Sequence, residues 1–198
     1  MVQAAYARPP GSCVAHAAHL DGASGGTHEI GKSNMTFAEL NLVPALQTAL
    51  AACGYDTPTP IQAQTIPPLL EGRDVIGSAQ TGTGKTAAFV LPALHTLSLT
   101  PPPPAPKHRM PTQPRVLVLA PTRELAQQVA EQAVRYGQHL RMRVVCLYGG
   151  APYPVQNRQL ARGVDLLVAT PGRLLDHLDR GRIDLSQLQV LVLDEADR

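Results

Sequence analysis

Lys85 and Thr86 close an eight-residue stretch, Ala79-Gln80-Thr81-Gly82-Thr83-Gly84-Lys85-Thr86, whose residue types suit a phosphate cradle. Its glycines let successive backbone N–H groups converge on an anion with no Cβ in the way. An apolar, strand-like run, residues 74–78, precedes it, and Ala87-Ala88-Phe89-Val90-Leu91 follows as a helix start. A strand, a glycine-rich turn and a helix are the context in which such a loop binds nucleotide phosphates. The helix N-terminus adds roughly half a positive charge there. Lys85 can reach β- and γ-phosphates, and the Thr86 hydroxyl can ligate Mg²⁺. The strict pattern opens with glycine, and here the opening residue is Ala79. Lysine is scarce in the chain, at Lys32, Lys85 and Lys107 only, so its presence in this loop is not a matter of composition.

Two further groups have the chemistry to complete such a site. Asp194 and Glu195 follow the apolar run Val190-Leu191-Val192-Leu193. A carboxylate at that place can hold Mg²⁺, and its neighbour can orient or deprotonate an attacking water. Helix capping is the plainer use of the same pair. Gln62 carries one donor and one acceptor, the pattern that matches adenine N6 and N7 and mismatches guanine O6. A surface glutamine on a helix is the plainer alternative.

The elements that must place these groups are legible from hydropathy. Leu40, Leu42, Val43, Leu46 and Leu50 recur at helical spacing over residues 37–53, ending at Gly54. Pro60 opens a second helix that should be kinked or split at Pro67-Pro68 and end by Gly72. A helix kinked at Pro92 should follow the phosphate loop to about Leu99. Apolar strands are expected at residues 74–78, 115–120, 144–148, 165–169 and 190–193. They end in Pro121-Thr122-Arg123, Gly149-Gly150, Thr170-Pro171-Gly172-Arg173 and Asp194-Glu195-Ala196-Asp197. Strands alternating with helices predict an α/β fold built on a parallel sheet with flanking helices, with ligands at the strands' carboxyl ends.

Composition sets the limits. The chain has 198 residues, 44% hydrophobic, with no run approaching the ~20 apolar residues of a membrane helix. Cys13, Cys53 and Cys146 are odd in number and lack metal spacing, which fits a reducing, cytoplasmic setting. Net charge is +2, but residues 107–182 carry +7 and residues 183–198 carry −3. A basic middle segment fits a polyanionic partner or a solvated helix face. Residues 1–34 show no periodicity and are expected to be a disordered extension, with Met35 as the natural start and no effect on nucleotide affinity if they are deleted. His16, His19 and His28 within them lack the acidic or cysteine neighbours of a metal site. Seven prolines among residues 101–114 predict an extended surface loop.

From Phe37 to its last residue the chain resembles the N-terminal RecA-like half of a bacterial DEAD-box ATP-dependent RNA helicase. The resemblance rests on Phe37 with the Gln62 element, Ala79–Thr86, Pro121–Leu125, Gly149-Gly150, Thr170–Arg173 and Asp194–Asp197, in that order. It implies a Q-motif region over 35–63 and part of a RecA-like ATP-binding domain over 64–198. It implies that Phe37 and Gln62 contact adenine and that Ala79, Gln80, Thr81, Gly82, Thr83, Gly84, Lys85 and Thr86 cradle the phosphates. Lys85 would neutralise charge, Thr86 and Asp194 would hold Mg²⁺, and Glu195 would position the water. Thr122, Arg123, Gly150, Thr170 and Arg173 would lie along RNA phosphates, giving sequence-independent binding. Nothing points to a homo-oligomer or a membrane.

The same resemblance implies elements outside these 198 residues: a Ser-Ala-Thr strand between the phosphate-loop strand and the Asp194 strand, and a second RecA-like domain with the arginines that finish the ATPase site. Such arginines are worth roughly 10³–10⁵ in rate in related phosphoryl-transfer enzymes. The expectation is therefore an incomplete sheet with exposed edges, prone to aggregate, and no appreciable RNA-stimulated turnover or unwinding by this chain alone. The alternatives are a non-catalytic nucleotide- or RNA-binding fragment and another P-loop ATPase such as a DNA helicase.

Overall fold

The computed structural model describes residues 35–78, 80, 82–100 and 111–195, together with the backbone of two N-terminal strands, residues 2–6 and 18–20. The expectations for Ala79, Thr81, residues 101–110, Ala196 and Asp197 fall outside the described residues.

The centre of the fold is four parallel strands in the order β7-β4-β6-β5: β4 (Val116–Leu119), β5 (Val144–Leu147), β6 (Leu166–Ala169) and β7 (Val190–Asp194). Leu119 pairs with both Ala169 and Leu193, and Leu147 pairs with Ala169, so the carboxyl ends of all four form one edge. The near-continuous apolar runs follow from burial on both faces. Val116, Val118, Leu166 and Val168 point into one core layer, and Leu117, Leu167 and Ala169 into the other. Helices α1 (Pro44–Ala52), α2 (Pro60–Leu70), α3 (Lys85–Leu99) and α4 (Arg123–Tyr136) supply the first layer. Helices α5 (Tyr153–Leu160) and α6 (Pro171–Asp179) supply the second. The α/β architecture with flanking helices is thus as expected.

Two local expectations are corrected. The stretch from residue 37 is not one helix: a 3-10 turn, Phe37–Leu40, ends at Asn41 in the left-handed region (φ 54°), and α1 starts afresh with Pro44 at its first position. A proline there has no N–H to lose and its fixed φ suits a helix start. Pro67 and Pro68 do not split α2, which runs unbroken from Pro60 to Leu70.

Of residues 1–34, expected to be disordered, only 2–6 and 18–20 are described, and the expectation for the others lies outside the described residues. Val2–Tyr6 form β1, and Ala18–Leu20 form β2. The phosphate-loop strand β3 (Val75–Gly77) lies in the sheet order β2-β3-β1-β7. β1 is antiparallel to both neighbours, pairing Gln3 with Ile76 on one side and with Leu193 on the other. β3 therefore runs parallel to β7 but one strand away, and β1 holds the slot that was expected to stand open. The reason lies in backbone chemistry: unpaired N–H and C=O groups on two facing edges accept any extended segment of the right length, in either direction.

Candidate functional site

Gly84 caps α3 at its N-terminus with φ 87°, a conformation glycine adopts without penalty, and Lys85 and Thr86 form the first turn. The Gln62 amide locks this corner. Its Nε2 donates to the Gly84 carbonyl at 3.1 Å, and its Oε1 accepts from the Thr59 N–H at 2.9 Å. A Cβ on Gly84 would meet Gln62 Nε2 at 2.4 Å. Gln62 is only 4% exposed, at the third residue of α2, so the helix opened by Thr59-Pro60 is tied directly to the phosphate loop. Thr83 Oγ1 donates to the Gln80 carbonyl at 2.7 Å, tightening the loop. Phe37, expected at the base, is buried in the core layer beside α1 and α2. A large apolar ring gains more from that burial than from an exposed edge. Among the described residues, a cavity lined by residues of α2, β3 and the start of α3 (Ile61, Thr65, Leu69, Val75, Gly77, Lys85, Ala88 and Phe89) is mostly apolar. It is too apolar to hold a phosphate, which belongs on the amide side of the turn.

Asp194 ends β7 and is buried. Burial and the Glu195 charge push its carboxyl pKa up, and Lys85 pulls it back down. The lysine of the loop and the acidic pair thus share one electrostatic neighbourhood across β1. Glu195 sits in the left-handed region at φ 50°, where a non-glycine residue stores strain, a frequent property of functional turns. Desolvated like charges beside a cationic loop make a place that a divalent cation would relieve. No cluster of three or more His, Cys, Asp or Glu capable of holding a metal exists among the described residues. Asp194 supplies a buried carboxylate and Thr86, in the first turn of α3, a hydroxyl, both of the hard oxygen type that suits Mg²⁺.

The other three motif segments converge further along the same edge. Thr122 caps α4, accepting from the Leu125 N–H at 3.3 Å, and Thr170 caps α6 after β6. Because β4 and β6 are adjacent, two helix N-termini stand side by side. The Arg123 guanidinium lies 4.9 Å over the Tyr148 ring, just before the exposed Gly149-Gly150 turn. Thr122 and Arg123 are exposed, as are Pro171 and Gly172, while Thr170 is half-buried. Exposed amides, hydroxyls and one guanidinium over two helix N-termini form a surface suited to a phosphate chain. Arg173 differs: it is only 8% exposed, and its Nη1 donates inward to the Ala151 carbonyl at 2.9 Å and to Gln156 Oε1 at 3.0 Å.

Sequence reasoning missed Tyr148, Tyr153, Gln156 and His177. Gln156 and His177 are nearly or wholly buried and hydrogen-bonded to each other at 2.9 Å. Tyr153 is flanked by the guanidiniums of Arg173 and Arg180, each 4.2 Å from its ring centre. The available signal was the spacing of Arg173 and His177, one helical turn apart on the buried face of α6.

A phosphate loop tied to an acidic strand end on a parallel sheet defines an α/β nucleotide-binding protein. Residues 59–198 match the DEAD/DEAH box helicase family profile, and the chain belongs to that family. It is 55% identical over 163 residues to the ATP-dependent RNA helicase DeaD of Klebsiella pneumoniae, covering 82% of this chain and 24% of that protein. It is 50% identical over 166 residues to DeaD of Mycobacterium tuberculosis, covering 83% of this chain and 28% of that one. Among solved structures, the yeast DEAD-box splicing factor Prp28 superposes with a TM-score of 0.75 at 38% identity, over 82% of this chain and 38% of that one. A hypothetical ATP-dependent RNA helicase from Sulfolobus tokodaii superposes with a TM-score of 0.63 at 37% identity, over 73% of this chain and 38% of that one. The chain thus spans about a quarter of the length of the curated relatives it matches.

Proposed function

We propose that this chain is the ATP- and RNA-binding half of an ATP-dependent RNA helicase of the cytoplasm. The observation that carries the reading is the pairing of the Gln62-locked Gly84–Lys85 corner with the buried Asp194 beside Glu195. The loop amides and Lys85 bind and orient the β- and γ-phosphates of ATP. Gln62 spends one N–H and one lone pair on backbone, which leaves the second of each for the adenine edge. Phe37, from the core, backs that wall. Thr86 and Asp194 hold Mg²⁺, which when bound neutralises phosphate charge. Glu195 orients the attacking water. Thr122, Arg123, Gly150 and Thr170 take RNA phosphates without reading bases, so binding is insensitive to sequence and steep in salt.

A second reading for these 198 residues on their own is binding of nucleotide and RNA without turnover. Calorimetry with ATP, with and without Mg²⁺, tests the first part. Magnesium-dependent binding that Lys85→Ala abolishes is the expected result, and undiminished binding by that variant refutes it. Hydrolysis rates with and without single-stranded RNA separate the two readings.

A further inference from the structure

Gln156 links α6 to the turn after β5 by hydrogen bonds in both directions. It is 2% exposed on α5. Its Nε2 donates to the Tyr148 carbonyl at 3.1 Å. Its Oε1 accepts from Arg173 Nη1 at 3.0 Å and faces His177 Nε2 at 2.9 Å. The same Arg173 nitrogen donates to the Ala151 carbonyl at 2.9 Å. Gln156 therefore joins the Tyr148 end of the Tyr148–Ala151 turn to the first and second turns of α6, and Arg173, held by the same oxygen, reaches the Ala151 end. Because Arg173 donates to Oε1, the amide orientation is set, with oxygen toward α6 and nitrogen toward Tyr148. His177 must then present Nε2–H as donor, which leaves Nδ1 as a buried lone pair with no hydrogen-bond partner among the described residues. Burial and the nearby Arg173, Arg180 and Arg182 charges hold His177 neutral, consistent with that tautomer.

We infer that Gln156, supported by His177, is a positioning residue that sets the distance between the Gly149-Gly150 turn and the N-terminus of α6, and that Arg173 acts inward with it, not as a phosphate ligand. The inference rests on the reading of this edge as the RNA surface. The turn carries Gly150 at φ 85°, and no other described side chain donates to or accepts from its backbone apart from Arg173. Residues 149–150 are exposed, and a Cβ added at either would meet nothing within 4 Å. A side-chain amide can donate to a carbonyl at one end and accept from a guanidinium at the other without carrying charge.

Gln156→Glu separates positioning from folding. A carboxylate still accepts from Arg173 and His177, so the helix pair stays joined, but it cannot donate to the Tyr148 carbonyl and repels it. Gln156→Met, of similar length and neutral, removes all three bonds and controls for added charge. The expected result is binding to fluorescein-labelled single-stranded RNA weakened at least ten-fold in both variants. Magnesium-dependent ATP affinity should stay within two-fold of wild type, and Gln156→Glu should melt within a few degrees of it. RNA binding unchanged in both variants overturns the positioning role while leaving the RNA surface intact. Parallel loss of RNA and ATP binding in Gln156→Glu overturns it too, since it marks a merely structural residue. Wild-type chain that binds no RNA overturns the surface itself, and this inference with it.

Discussion

Substituting Gly84 by alanine separates two effects that act at one position. Gly84 has φ 87°, and forcing an alanine there costs about 1–2 kcal/mol. The added Cβ would also lie 2.4 Å from Gln62 Nε2 and 3.3 Å from Thr59 Oγ1. The amide must move, breaking its bond to the Gly84 carbonyl and its acceptance from the Thr59 N–H. Each is worth about 1 kcal/mol, and leaving buried partners unpaired adds to that. Gly84→Ala should therefore destabilise by about 3–4 kcal/mol. Gly82 provides the internal control: it has φ 83°, but a Cβ there meets nothing within 4 Å. Gly82→Ala should show the conformational part alone, about 1–2 kcal/mol. Urea unfolding of both variants gives the difference directly. A double-mutant cycle with Gln62→Ala should be strongly non-additive, because truncating the glutamine removes the clash. Equal destabilisation by Gly82→Ala and Gly84→Ala, or an additive cycle, would refute the claim that Gln62 braces the loop.

Three more outcomes follow from the same contacts. Arg115 and Asp165 form a buried ion pair at 2.8 Å, with Arg115 also donating to Thr100 Oγ1 at 2.7 Å; Asp165→Ala leaves a buried cation and should cost about 3–5 kcal/mol in urea unfolding, whereas replacing both partners by leucine should cost much less. His95 and His177 both have pKa values held below 6.5 by burial, and His95 Nδ1 accepts from the Val43 N–H at 3.2 Å. The unfolded chain thus binds protons more readily, so stability is full above about pH 6.5 and declines as pH falls below it; melting temperatures from pH 8 to 5 should show this, and a double change of both histidines to glutamine should flatten the slope. Deleting residues 1–20 removes β1 and frees the facing edges of β3 and β7. Faster amide exchange at Val75–Gly77 and Val190–Asp194 and concentration-dependent aggregation are expected, and unchanged exchange would show that β1 does not hold the slot.

Much of this was legible in residue order because the signals are local. Val116–Leu119 and Leu166–Ala169 announce themselves as buried strands by apolar continuity, and Gly82–Thr86 by glycine and lysine between a strand and a helix. The strand ends carried the motif residues, so naming the strands named the edge. What stayed hidden depends on distant pairing. Gln62 reaches Gly84 across 22 residues and Gln156 reaches His177 across 21, and neither separation has a sequence signature. Nothing in the order of residues around Arg173 announces its burial, which depends on the Ala151 carbonyl and on Gln156, 22 and 17 residues away. Val2–Tyr6 showed no periodicity because a central slot asks only for an extended backbone of sufficient length.

Strand register also limits how far the two binding regions can be from each other. Asp194 ends β7, Thr122 and Arg123 follow its neighbour β4, and Thr170 follows β6, the next strand over. At about 4.8 Å per strand, the acidic pair lies roughly 5–10 Å from the helix N-termini of the phosphate-facing edge. That range brackets the Debye length at physiological salt, about 8 Å, so solvent ions screen the separation only in part. A unit change of charge at 10 Å across an effective dielectric of about 20 is worth nearly 2 kcal/mol. Occupancy of the Asp194 region and of the phosphate-facing edge should therefore influence each other through the sheet's own geometry, without any rearrangement of the core. Because linkage is reciprocal, ATP with Mg²⁺ should shift RNA affinity by the same factor by which RNA shifts nucleotide affinity, and that factor should shrink as salt is raised.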